Sequence, residues 1–222
     1  MILIQFIIGT VLGSFLFASY SRLRTGGSIL SPARSYCDSC SATIAWFDLV
    51  PIFSYLILRG RCRNCNQTIP LASLFCELFF GGLLLSWQPT LLSTGYVLVG
   101  CLLFFMAIND VHHLAFPTIY GHGLMLLAVT LYGFFSPHHS FFIFMMFIWL
   151  MTQFFEPKFK WIGAGDLDVF LCLLILLGFV PFAWLLLLSS LSGLVTSQFL
   201  KLRRLPFLPF ITASYLIILF FI

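Results

Sequence analysis

The sequence predicts an all-α protein that crosses a membrane about eight times, and three observations lead there. Of its 222 residues, 61% are hydrophobic and only 8% are charged. A soluble domain carries about 25% charged residues, so this chain has too little polar surface to be one. Its mean hydropathy is +1.08, which suits helices that face lipid as well as protein. The apolar residues fall into long segments, separated by short breaks apart from one sizeable polar stretch, and a bilayer-crossing helix needs about 20 such residues.

The first segment, MILIQFIIGTVLGSFLFASYSRL, has no Lys or Arg ahead of its apolar run. A cleaved signal peptide would have a basic start and a small-residue cleavage site, so this stretch is expected to be a retained span. Gly9 and Gly13 form a GxxxG pair that would let another helix approach closely. The same pair is common in any apolar segment. Further spans are expected near 71–87, 91–109, 114–135, 140–155, 166–180, 182–200 and 206–222. The sixth and seventh meet at Gly178–Pro181, where the boundary is open.

Charge gives the expected orientation. All 11 Lys and Arg lie in three loops. Arg22, Arg24, Arg34, Arg59, Arg61 and Arg63 are in the first, Lys158 and Lys160 in another, and Lys201, Arg203 and Arg204 in the last. With eight spans these loops share one side, which the positive-inside rule makes cytoplasmic. Both termini are then outside. The expected organisation is one membrane domain, 1–222, with a polar cytoplasmic insert at 22–70 between spans one and two.

Four of the 7 Cys stand in two C-x-x-C pairs within that insert, Cys37 with Cys40 and Cys62 with Cys65. Each short turn presents two thiolates, and two such turns can close a tetrahedral zinc site. A reducing compartment disfavours disulfides. A redox C-x-x-C is the competing reading, but two pairs in a loop too small to bury a core favour structural zinc. Cys76, Cys101 and Cys172 fall in spans and read as packing residues.

The seven acidic residues can be weighed singly. Asp38 and Asp48 lie in the polar insert, and Glu156 beside Lys158 reads as a solvated partner. Glu77 sits within span two. Asp110 ends span three, and Asp166 and Asp168 begin span six. Ionisable groups in or at the edge of spans are costly and often functional. Asp110 and Asp166 fall at the same, cytoplasmic, membrane edge. Two carboxylates that meet in a poorly solvated place share one proton and can serve as general base and general acid. Gly163 and Gly165 leave the backbone before Asp166 open to a substrate strand. The competing reading makes Asp166 an N-cap and Asp110 a span-ending polar residue. Asp168 is two residues on, about 200° around a helix, so it cannot point the same way as Asp166. It reads as an accessory acid or a polar helix-start residue. His112 and His113 could tune Asp110, or could simply be interfacial polar residues.

These motifs together resemble a known family. Gly13-Ser14-Phe15-Leu16 is similar to its GSFLN opening, with Phe17 in place of Asn. RSYCDSC, WFDLVPIFSYLILRGRCRNC, Ile69-Pro70 and Glu77 follow in the family's order. Asp110 precedes Phe116-Pro117 where the family has Ile-Pro, and Gly163-Ala164-Gly165-Asp166 is its GxGD signature. Pro206-Phe207-Leu208-Pro209-Phe210 is similar to its P-F-G-P-F element. The family is the type IV prepilin peptidases, also called leader peptidases, of the bacterial cell membrane. The resemblance implies cleavage after Gly on the cytoplasmic side of a prepilin or pseudopilin, with Asp110 and Asp166 catalytic. It also implies N-methylation of the new N-terminus with S-adenosylmethionine, with Glu77 as a residue associated with it. The family commonly has Lys where this chain has Asp168, and the change looks like the form in Gram-positive competence systems. Both the Asn and the Lys positions of the family pattern are altered here, as Phe17 and Asp168. Direct nucleic-acid binding is not expected. Other readings remain: a presenilin-like intramembrane protease, which lacks the cysteine loop and carries a P-A-L motif missing here; a non-enzymatic assembly factor with a zinc loop; and a thiol oxidoreductase.

Overall fold

The computed structural model describes residues 1–29, 34–113, 118–135, 139–155, 164–200 and 205–221. Among these residues the chain is all-α. The helices are α1 (Ile2–Arg24), α2 (Phe53–Ile57), α3 (Leu71–Leu85), α4 (Leu91–His113), α5 (Thr118–Phe135), α6 (His139–Phe155), α7 (Ala164–Leu177), α8 (Phe179–Leu200) and α9 (Leu208–Leu219). Apart from the five-residue α2, each covers one expected span. Among the described residues, three are long and apolar enough to cross a membrane: 2–24, 91–112 and 179–199. The open boundary falls at Gly178, whose φ of +77° is a left-handed geometry that ends α7 and lets α8 restart at Phe179. The chain divides into two compact units, Met1–Trp87 and Gln88–Ile222.

In the first unit, α1 packs along α3. The contact is made by the glycine pair. A Cβ on Gly9 would collide with the carbonyl oxygen of Phe80, and one on Gly13 would lie 2.7 Å from that of Cys76. The close approach lets the Cys76 thiol donate to the Gly13 carbonyl at 3.1 Å. The GxxxG pattern, ambiguous in sequence, is therefore the seam of this unit. Near the other end, the Gln5 side chain donates to the Trp87 carbonyl at 3.0 Å.

In the second unit, α4 packs on α5 and α9, α7 packs on α5, α6 and α8, and α8 packs on α9. Leu103, Met106, Leu124, Leu173, Leu185 and Ile211 are fully buried here. Buried hydroxyls find backbone acceptors, as membrane burial requires. Thr212 donates to the Leu103 carbonyl at 3.2 Å and Tyr215 to the Tyr96 carbonyl at 2.9 Å. Pro209, in the first turn of α9, costs no helix hydrogen bond there.

Candidate functional site

The cysteine loop consists of two copies of one turn. Tyr36 bridges to Thr43 in the first and Arg61 to Thr68 in the second. The Cys37 N–H donates to the Ala42 carbonyl, and the Cys62 N–H to that of Gln67. Ser41 and Asn66 each close the turn at a φ of +57°. The four Sγ atoms of Cys37, Cys40, Cys62 and Cys65 lie within 4.8 Å of one another, and Cys37 and Cys65 are 3.8 Å apart. Four thiolates about 2.3 Å from a zinc ion would stand about 3.8 Å from each other, so the donor set fits tetrahedral zinc. Backbone N–H groups of Cys40 and Ser39 pull the Cys37 thiol down to about 6, so a thiolate is present for a metal at neutral pH. The bidentate pair of Arg63 with Asp48, at 2.8 and 2.7 Å, ties the second turn to the short helical turn at 46–49. It holds the Asp48 carboxyl below the usual carboxylate range.

Beside this loop lies a cavity of about 350 Å³ lined by Ser14, Arg22, Asp48, Tyr55, Ser73 and Glu77 among others. Glu77 is buried in α3, and its carboxylate accepts the Ile52 N–H at 2.7 Å. Ile52 has a φ of +63°, a conformation that costs a β-branched residue about 1–3 kcal/mol. The carboxylate holds the loop in that turn. Nothing in the sequence around Ile52 signals the strain, since glycine is the residue usually placed there.

In the second unit, Asp110 is buried in the last turn of α4, and its carboxylate accepts the Leu208 N–H at 3.2 Å. Leu208 is the residue that replaces Gly in the Pro206–Phe210 element. Asp166 is half-exposed and is the third residue of α7, so it lies inside the first turn and not at the cap. An acid there is favoured by the helix dipole. One turn on, the Phe170 ring meets the edge of the Phe207 ring, with centroids 6.2 Å apart. Asp168 faces elsewhere. It is buried, accepts from the Gln153 side chain of α6 at 3.0 Å, and lies against Gly121 of α5, where a Cβ would come within 3.3 Å of its carboxylate. The opposite facing of Asp166 and Asp168 follows the helix geometry. Gln153 and Gly121 carried no motif that would have found them. Gly165 is half-buried in the first turn of α7. Gly163, with Glu156, Lys158, Lys160 and Phe116-Pro117, lies outside the described residues. His112 is exposed.

Fold and site define a polytopic helical membrane protein with a four-thiolate loop and buried carboxylates in its apolar helices. Comparison with known proteins places that class. Residues 7–88 match the family model of the bacterial peptidase A24 N-terminal domain. The chain is 29% identical over 236 aligned positions to a prepilin leader peptidase/N-methyltransferase of Bacillus subtilis, covering 96% of this chain and 92% of that one. It is 29% identical over 210 positions to the protein of that name from Vibrio cholerae, covering 84% and 81%. A third, from Myxococcus xanthus, is 32% identical over 130 positions, covering 57% of this chain and 38% of its own. No solved structure matches. The chain is thus similar over most of its length to proteins named prepilin leader peptidase/N-methyltransferase, and over residues 7–88 to the N-terminal domain of the bacterial A24 peptidases.

Proposed function

We propose that this chain is a membrane aspartyl endopeptidase that cuts the leader from prepilins or pseudopilins after Gly, at the cytoplasmic face of the cell membrane. Asp110 and Asp166 form its catalytic pair. One observation carries the assignment. Phe170, one turn from Asp166, abuts Phe207, and the next residue, Leu208, donates its N–H to Asp110. Residues four apart share a helix face, so the Phe170–Phe207 contact supports a reading in which Asp166 faces the α9 entry beside Asp110.

The chemistry follows from two carboxyl groups that share one proton. The ionised group takes a proton from water as the water oxygen attacks the scissile carbonyl. The protonated group hydrogen-bonds the carbonyl oxygen, and a proton passes to the leaving amine as the C–N bond breaks. Asp166, half-exposed beside Gly165, is the partner nearer to substrate. Zinc on Cys37, Cys40, Cys62 and Cys65 orders the loop and takes no part in hydrolysis.

A second activity, N-methylation of the new N-terminus with S-adenosylmethionine, has its own support. The cavity at Glu77 is within the roughly 300–1,000 Å³ range of small-molecule sites, and a buried carboxylate in it suits a cationic sulfonium. The Asp168 substitution favours a competence pseudopilin as substrate. The lipid bilayer is the other partner.

The test is co-expression with a candidate prepilin and mass spectrometry of its N-terminus. The expected product begins immediately after the leader Gly, and an added methyl group marks the second activity. Unprocessed prepilin beside full-level, zinc-loaded protein would favour the assembly-factor reading. Cleavage within the hydrophobic segment would favour the presenilin-like one.

A further inference from the structure

Gly13 is the midpoint of α1, a helix long and apolar enough to cross a membrane. A Cβ on Gly13 would lie 3.1 Å from the Glu77 Cα, so Glu77 is level with the middle of that span. It is about 16 Å from the Arg24 end at about 1.5 Å per residue. The Ile52 N–H donates to the Glu77 carboxylate. The apolar part of α1 ends at residue 21, about 12 Å from Gly13, so with the Glu77 side chain leaning back one full turn, about 5 Å, Ile52 remains about 7 Å inside the span.

The length of α3, taken as a crossing helix, leads to the same depth. Its 15 residues make about 22 Å, less than the roughly 30 Å hydrocarbon thickness. A bilayer that α3 crosses must therefore cover its first turns as well. The Tyr55 hydroxyl donates to the Ile69 carbonyl at 3.3 Å, and the Ile69 N–H to the Gly60 carbonyl at 2.7 Å. These bonds hold α2 beside the start of α3.

At that depth the loop presents apolar side chains outward. Trp46 is 81% exposed, Phe53 66%, Leu56 61% and Ile57 74%. The backbone is prepared for the same surroundings. The Ser54, Leu56 and Leu58 N–H groups donate to the Val50, Ile52 and Ser54 carbonyls, as a segment without water must arrange. Exposed Arg59 and Arg61 follow immediately, where phosphate headgroups would begin.

We propose that Phe53–Ile57, with Trp46 beside it, is a re-entrant element seated in the cytoplasmic leaflet. Trp46, Phe53, Leu56 and Ile57 contact lipid, and Arg59 and Arg61 contact anionic headgroups. Lipid thereby forms part of the surroundings of the Glu77 cavity. The inference rests on α1 and α3 crossing the bilayer and is independent of the protease assignment.

The test places p-benzoylphenylalanine at Phe53 or Ile57, and at Asn64 as a control, in the full chain reconstituted in phosphatidylcholine and phosphatidylglycerol vesicles. After irradiation, mass spectrometry should find phospholipid adducts at 53 and 57 and none at 64. Adducts at 53 and 57 to protein alone, or equal lipid adducts at all three, would overturn the proposal. A second reading leaves residues 46–57 unchanged: Trp87, Trp149, Trp161 and Trp184 become Phe, and acyl-brominated lipid is added. Loss of Trp46 emission is expected, and emission unchanged by bromine would contradict it.

Discussion

Glu77 and Asp110 are alike in one respect and opposite in another. Each is a buried carboxylate that accepts a backbone N–H from elsewhere in its unit, Ile52 for Glu77 and Leu208 for Asp110. The partner of Glu77 is 25 residues away, in a loop whose turns are set by cysteine spacing. The partner of Asp110 is 98 residues away, at the start of the last helix. The first unit therefore builds its carboxylate site from local turns. The second assembles its own only after α4 and α9 have packed. Sequence motifs describe the first arrangement and merely mark the components of the second.

The largest expected effect separates the two regions by function. Asp110→Asn and Asp166→Asn should each lower prepilin cleavage by roughly 10³-fold or more, taking the usual 10²–10⁴-fold for general acid–base groups as a guide. Zinc content, measured by atomic absorption on the same preparations, should stay at wild type. Cleavage near wild type in either variant would break the proposed pair.

Next is the seam of the first unit. Gly13→Val places side-chain atoms against the Cys76 carbonyl and the Glu77 Cα. It should destabilise the protein by about 1–3 kcal/mol, the usual cost of overpacking, seen as a lower Tm in detergent. Serine for Cys37 or Cys62 should remove zinc and open residues 35–69 to protease, while helix content by circular dichroism barely changes.

How much of this was legible follows the same division. Eight apolar segments, the C-x-x-C spacing and the opposed faces of Asp166 and Asp168 could all be read, because each depends on residues near in sequence. The GxxxG pair was visible but ambiguous, since only the partner helix shows which glycines are used. The Leu208 and Gln153 contacts were invisible as chemistry, because a backbone N–H looks the same in every residue and Gln153 lies in no motif. Ile52 was hidden for another reason: its strained turn is maintained by Glu77, not by its own side-chain preference.

Two smaller effects sharpen the comparison. Leu at Glu77 leaves the Ile52 N–H unpaired and should cost about 1–3 kcal/mol, whereas Gln keeps an acceptor and should cost less. The same pair of replacements at Asp168, with Gln153 as donor, should follow the same order. Comparing Tm values of the four variants tests both. The smallest effect is that of pH on the Asp48–Arg63 pair. The folded protein holds the Asp48 carboxyl low, so the pair contributes fully above the usual carboxylate value of about 3.9. Its contribution fades as pH falls below that value toward the lowered one. Asp48→Asn should remove this component of acid sensitivity, visible as a shallower fall of Tm with pH, and an unchanged slope would count against the pair.

The claim at the centre is that Asp110 and Asp166 act as one unit although they reach the site on different helices. Cleavage rates of a synthetic prepilin peptide by purified wild type, both single Asn variants and the double variant address it directly. Residues that act as a unit are non-additive. Each single variant should therefore lose nearly as much activity as the double. Two partial losses that multiply in the double variant, or one single variant with near-normal rate, would contradict the pair.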